Sequence, residues 1–141
     1  MTVTGTYLQG LLDRILGGEL PGFLEGYVHD DVEWMLINAE VKSSPLSGLY
    51  HGKQAYFAAA GPVFGAFTGP TKFELERSTL AGNLAFIELR GTSVGKKDGK
   101  TMGGFWCWIL EFDDDAEKPK IKKIKEYMDS ALAKEFIENN Q

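Results

Sequence analysis

At 141 residues, with 43% hydrophobic and 25% charged side chains, the chain is long enough to bury a core and too apolar to be disordered. Its net charge of −5 opposes phosphate-backbone binding, which needs clustered Lys and Arg, so no nucleic-acid partner is expected. Cys107 is the only cysteine, which excludes an intrachain disulfide and a cysteine zinc cluster.

Residues 1–7 show no basic stretch followed by an apolar one, so no signal peptide is expected, and the lone cysteine fits a reducing, cytoplasmic setting. No apolar run approaches ~18 residues, so no membrane span is expected. Tyr7, Leu8, Leu11, Leu12, Ile15 and Leu16 recur at three and four residues, the mark of an amphipathic helix, and Gly17-Gly18 stops it. Pro21 suits the first turn of a short second helix carrying Phe23, Leu24, Tyr27 and Val28. His29-Asp30-Asp31 reads as a turn, residues 32–37 as a strand, and residues 38–52 as a long loop. A third helix from about Lys53 turns Ala55, Tyr56, Ala59 and Ala60 inward; Gly61-Pro62 ends or kinks it, and Val63, Phe64 and Phe67 follow as a short apolar piece.

The rest is a meander. Phe73 and Leu75 alternate with charges, Ala81-Gly82-Asn83 turns, and Leu84–Val94 is the next strand. Lys96-Lys97-Asp98-Gly99 makes a hairpin, since Asp-Gly tolerates the positive backbone angles such a turn needs. Thr101–Phe112 returns, residues 120–128 form the last strand, and residues 130–138 close the chain as a short helix. Lys118, Lys120, Lys122, Lys123 and Lys125 alternate with Ile121 and Ile124, which reads as the wet face of that strand.

This order implies one α+β domain over residues 1–141, with three N-terminal helices packed on a strongly curved, mostly antiparallel sheet. Gly91, Gly95, Gly103 and Gly104 lie in or beside long strands and permit the bends that make a flat sheet a cone. A cone with helices over its mouth encloses an apolar pocket for a small molecule.

Three stretches carry a family resemblance: Tyr27-Val28-His29-Asp30-Asp31-Val32-Glu33-Trp34, Pro45-Leu46-Ser47-Gly48-Leu49-Tyr50-His51-Gly52-Lys53, and Lys120-Ile121-Lys122-Lys123-Ile124-Lys125-Glu126-Tyr127-Met128-Asp129. With the element order they resemble the NTF2-like superfamily, and within it the SnoaL-like polyketide cyclases and their relatives, ketosteroid isomerase and limonene epoxide hydrolase. The resemblance implies a homodimer. It also locates catalytic positions, most of which are empty here. Where ketosteroid isomerase carries a tyrosine, a base and a protonated acid, this chain has Leu11, Leu36 and Trp108. Where limonene epoxide hydrolase carries its polar set, it has Trp34, Leu36, Leu89 and Gly91, and only Glu126 is acidic.

Strand parity chooses among the remaining candidates. Glu126 shares a face with Ile124 and Met128, Trp106 with Trp108 and Leu110, and Trp34 with Leu36. A carboxyl among tryptophans is poorly solvated, which raises its pKa toward neutral and suits it to acid/base work. The competing reading puts Glu126 in water beside Lys123 and Lys125. Asp129 precedes Ser130-Ala131-Leu132 as a helix cap, but the SnoaL-like cyclases place an acid near this strand's end, so it is the second candidate. His51, at a loop-to-helix junction, is the third, against a surface capping role. Trp34, Leu36, Tyr56, Phe64, Leu89, Trp106, Trp108, Ile124 and Met128 are the expected substrate contacts, either as pocket wall or as plain core.

No metal is expected, because His29 and His51 show no ligand spacing, and no cofactor, because neither Gly17-Gly18 nor Gly103-Gly104 forms a phosphate loop. Ser43, Ser44 and Ser47 lack the nucleophile-elbow pattern. The resemblance implies a cofactor-independent cyclase or isomerase of SnoaL-like type, acting on a small apolar or polycyclic polyketide or terpenoid. The alternative is a non-catalytic binding or dimeric interaction protein.

Overall fold

A computed structural model describes residues 3–141. Helix α1, Gly5–Leu16, starts where the Thr4 hydroxyl accepts the Tyr7 amide at 3.1 Å. Its buried stripe is Leu8, Leu11, Leu12 and Ile15, and Gly18, at φ +77°, turns the chain out of it. Helix α2, Leu20–Tyr27, opens on Pro21, whose missing amide proton costs nothing in a first turn, and it buries Phe23 and Leu24.

Strand β1, Val28–Leu36, begins four residues before the expected strand. Val28 is its first residue rather than part of the helix, and His29-Asp30-Asp31 lies within the strand. There the ladder with the last strand shifts register between Val28 and Glu33. The shift lets a polar triplet sit in a strand without turning its charges inward. His29 Nε2 reaches Asp113 Oδ2 at 2.7 Å across the end of the sheet.

The expected loop 38–52 contains a short edge strand, β2, Gly48–His51, antiparallel to β1. Gly52, at φ +93°, then swings the chain into helix α3, Lys53–Phe64. Gly61-Pro62 does not itself end α3. It lies in the final turn, is exposed, and the helix stops two residues later. Ala55, expected inward, is exposed, while Tyr56 and Ala60 are buried.

Strands β3 (Lys72–Ala81), β4 (Leu84–Val94), β5 (Thr101–Phe112) and β6 (Ile121–Met128) form the antiparallel meander, and helix α4, Ser130–Asn139, follows. The six strands lie in the order β2-β1-β6-β5-β4-β3, with β1 and β6 parallel and the other pairs antiparallel. The α+β arrangement expected from the sequence is thus the observed one, with an open, mixed sheet.

Helices α1 and α2 join the inner sheet face in the main apolar core, which includes Leu11, Phe23, Leu89, Leu110 and Ile124. A smaller cluster of Ala66, Met102 and Phe136 sits under α4. Buried Asn140 fastens the end of α4 to the β4–β5 hairpin. Its Oδ1 accepts the amides of Lys97 and Asp98 at 2.9 and 3.1 Å, and its Nδ2 donates to the Phe136 carbonyl at 2.8 Å. Between the two apolar clusters the inner face of the sheet is not filled.

Candidate functional site

The unfilled space is a cavity of about 90 Å³ bounded by β1, β5 and β6 below and by α3 and α4 above. Four inward side chains form its floor and walls: Trp34 from β1, Trp106 and Trp108 from β5, and Glu126 from β6. They meet because β6 is the centre of the ladder. Glu126 faces Trp108 on one side and Leu36 on the other, and Trp34 faces Ile124 one step earlier.

Trp106 lies flat because the residues beneath it are Gly91 and Gly104, which are cross-strand partners. A Cβ on Gly91 would stand 2.5 Å from Trp106 Cζ3, and one on Gly104 3.1 Å from Cη2. Gly91 is needed for this close approach to an aromatic plane, and a methyl at Gly104 would crowd the same ring. The sequence singled them out as bend points.

Glu126 is 4% exposed. Its Oε1 accepts the Trp34 indole N–H at 3.0 Å and the Tyr56 hydroxyl at 3.5 Å. Tyr56, on the first turn of α3, stacks on Trp34 with centroids 3.6 Å apart and planes 3° from parallel. Burial raises the Glu126 pKa from 4.5 to about 7; the donors on Trp34, Trp108 and Tyr56 oppose that rise without cancelling it. Burial likewise raises the Tyr56 hydroxyl well above its usual value, and the neighbouring carboxyl adds to the effect, so Tyr56 remains a neutral donor. The Trp108 N–H lies near the same carboxyl but makes no hydrogen bond to any group among the described residues.

Seven of the expected contacts come together here: Trp34, Leu36, Tyr56, Phe64, Trp106, Trp108 and Met128 line the cavity with Glu126. Leu89 and Ile124 do not line it. They sit on the inward face as expected but belong to the filled part of the core. Asp129 is exposed and caps α4, its Oδ1 accepting the Leu132 amide at 3.0 Å. His51 is exposed at the end of β2, in a surface depression with Asp30, Asp31 and Lys53 rather than in the cavity.

Sequence reasoning did not place Phe57, Val63, Phe73 or Phe136 at the cavity, though all four line it. The apolar spacing of residues 53–64 was a signal for the first two. Nothing local shows that α4 folds back over the sheet. Among the described residues no group of three or more His, Cys, Asp or Glu could hold a metal ion, and no helix is long and apolar enough to cross a membrane.

No protein-family model and no curated protein matches the sequence. Solved structures do resemble it. An NTF2-like protein of unknown function from Burkholderia pseudomallei has a TM-score of 0.69 at 15% identity, over 95% of this chain and 94% of that one. A candidate SnoaL-like polyketide cyclase from Jannaschia sp. CCS1 has a TM-score of 0.68 at 10% identity, over 92% and 91%. A candidate isomerase from Rhodopseudomonas palustris has a TM-score of 0.64 at 14% identity, over 96% and 97%. Identities this low carry the architecture and nothing finer, and on that architecture the chain has the NTF2-like fold.

Proposed function

We propose that this chain is a cofactor-independent acid/base catalyst that cyclises, isomerises or rearranges a small apolar polyketide or terpenoid intermediate. The observation that carries the reading is Glu126, a lone buried carboxyl with a pKa of about 7 in an otherwise apolar, aromatic cavity. A group half-protonated near neutral pH can both give and take a proton, and general acid/base catalysis contributes ~10²–10⁴-fold in rate. The donors on Oε1 fix the carboxyl's orientation, and the aromatic walls hold a hydrophobic substrate against it. The candidate cyclase and isomerase among the structural neighbours agree with this reaction class.

The cavity volume narrows the substrate. About 90 Å³ is below the ~150 Å³ of an apolar cavity that admits benzene. A polycyclic molecule therefore needs Phe57 and Phe64, both half-exposed cavity-lining side chains of α3, to swing aside. A single-ring molecule also exceeds this space and needs a smaller movement of the same two side chains.

The absence of a second acid or base beside Glu126 among the described cavity residues favours one other reading, a binding protein without turnover. One experiment separates the two. Monocyclic and bicyclic ketones and enones of polyketide and terpenoid type are incubated with the protein in deuterated water and followed by NMR for exchange or rearrangement. Turnover that drops ~10²-fold or more in Glu126→Gln supports the catalyst. Saturable binding without turnover, unchanged in Glu126→Gln, supports the binding protein.

A further inference from the structure

The polar groups of the cavity converge on one spot. Thr71, at one wall, is tied to Ser93 by a 2.7 Å hydroxyl pair. The Trp34 N–H and the Tyr56 hydroxyl both go to Glu126 Oε1. Two groups remain uncommitted. One is Glu126 Oε2, since the bonds from Trp34 and Tyr56 both run to Oε1. The other is the Trp108 N–H, on a side chain only 4% exposed, which lies close enough to the Glu126 carboxyl to favour its charge but makes no hydrogen bond of good geometry to it. They belong to directly opposed residues of the β5–β6 ladder, and both residues line the cavity. Buried N–H groups are nearly always paired, so one left open beside a cavity asks for an acceptor on whatever occupies it.

We propose that the Trp108 N–H and the Glu126 carboxyl together seat one oxygen of a neutral carbonyl compound whose remaining surface is hydrocarbon, and that Trp108 is the residue selecting for that oxygen. This rests on the reading of Glu126 as the pocket acid and names the substrate class for it. A carbonyl oxygen has two lone pairs, one for the indole N–H and one for the protonated carboxyl. A carboxylate ligand would bring a charge into a cavity with no Lys, Arg or His among its described lining residues. An ammonium ligand would pair with Glu126 but leave the Trp108 N–H without an acceptor.

The seat has a definite pH behaviour, because the carboxyl donates only while protonated. The elements packed against it contribute Trp34 and Leu36 from β1, Trp108 from β5 and Tyr56 from α3. Of these only Tyr56 titrates, and its pKa lies well above its usual value. Lys123 and Lys125 of β6 are exposed on the opposite face. Carbonyl binding therefore weakens as pH rises through about 7.

The test uses three one-ring probes: acetophenone, ethylbenzene, which lacks the oxygen, and benzoate, which is charged. Binding to the intact protein is read by tryptophan fluorescence and calorimetry. Wild type should prefer acetophenone to ethylbenzene and show no saturable benzoate binding. Trp108→Phe keeps a ring to stack on Phe23 and to meet Phe73 at a tilt. It should lower acetophenone affinity about five- to tenfold more than it changes ethylbenzene affinity, since both probes feel the altered wall and only one loses the N–H. In wild type, the acetophenone preference should also shrink above neutral pH, a measurement that stands even if the variant does not fold.

Equal losses for acetophenone and ethylbenzene, no loss at all, a preference indifferent to pH, benzoate binding as tightly as acetophenone, or no saturable acetophenone binding would each overturn the proposal. The acid/base reading fails on a different result, normal turnover in Glu126→Gln, so the two are separable.

Discussion

Replacing Glu126 with Gln should make the folded chain progressively more stable relative to wild type as pH rises from acid to neutral. Burial lifts the folded-state pKa from 4.5 to about 7. The unfolded chain therefore sheds this proton near its ordinary value while the folded chain keeps it. Between those values the folded state binds more protons, so each step up in pH costs wild type stability. The gap between 4.5 and about 7 corresponds to about 3 kcal/mol, fully present only above neutrality and absent in acid. Gln does not titrate, and its carbonyl can still accept from Trp34 and Tyr56. Any penalty for its buried amide is a constant offset, so the pH-dependent difference isolates the carboxyl. Other titrating groups, such as Asp113, act on both proteins and cancel. Urea unfolding of both, from about pH 4 to about pH 9, measures it. A difference that is flat with pH, or that grows toward acid, would refute the assignment of Glu126 as a buried, uncompensated acid.

Gly91→Ala should destabilise by ~1–3 kcal/mol and alter ligand binding, because its methyl would push the Trp106 ring off its seat; unfolding midpoints and probe affinity report both. Asn140→Ala should cost ~1–3 kcal/mol by leaving the buried contacts of the α4–hairpin junction unmade. It should also speed amide exchange in α4 more than in β4 or β5. The outer sheet face carries Phe105 at 61% exposure, with Phe86 and Tyr127 also exposed, and a homodimer through that face is expected. Sedimentation should show a dimer at micromolar concentration that Phe105→Glu converts to a monomer.

Much of this site can be read from strand periodicity. The alternation along residues 101–112 and 121–128 puts Trp106, Trp108 and Glu126 on one face, and the Asp98-Gly99 turn fixes the hairpin, with Gly99 at φ +67°. Periodicity reports the face of a sheet but not where along it the helices stop. Leu89 and Ile124 have the right parity yet lie in the filled half, while Met128 and Trp106 lie in the open half. Strand β2 escaped notice because four residues beside a Ser- and Pro-containing stretch carry little pattern and owe their strand form to pairing with β1. The hydrogen bond from Trp34 to Glu126 joins residues 92 positions apart, beyond the reach of any local signal. Pro62 shows the opposite limit: a strong local breaker is tolerated where the helix was about to end.

Gly91, Gly104 and Trp106 form an interlocked trio whose consequence is mutational. Because the indole rests on bare backbone, no side chain below it can yield when the ring above changes. Trimming Trp106 opens the cavity in a single step. Adding a methyl at Gly91, and to a lesser degree at Gly104, costs less after that trimming. The two substitutions should then be strongly non-additive, with the double variant less damaged than the sum of the singles. The cavity therefore widens through residue 106 before it widens through either glycine, and the room for variation at Gly91 and Gly104 depends on the size of the side chain at 106.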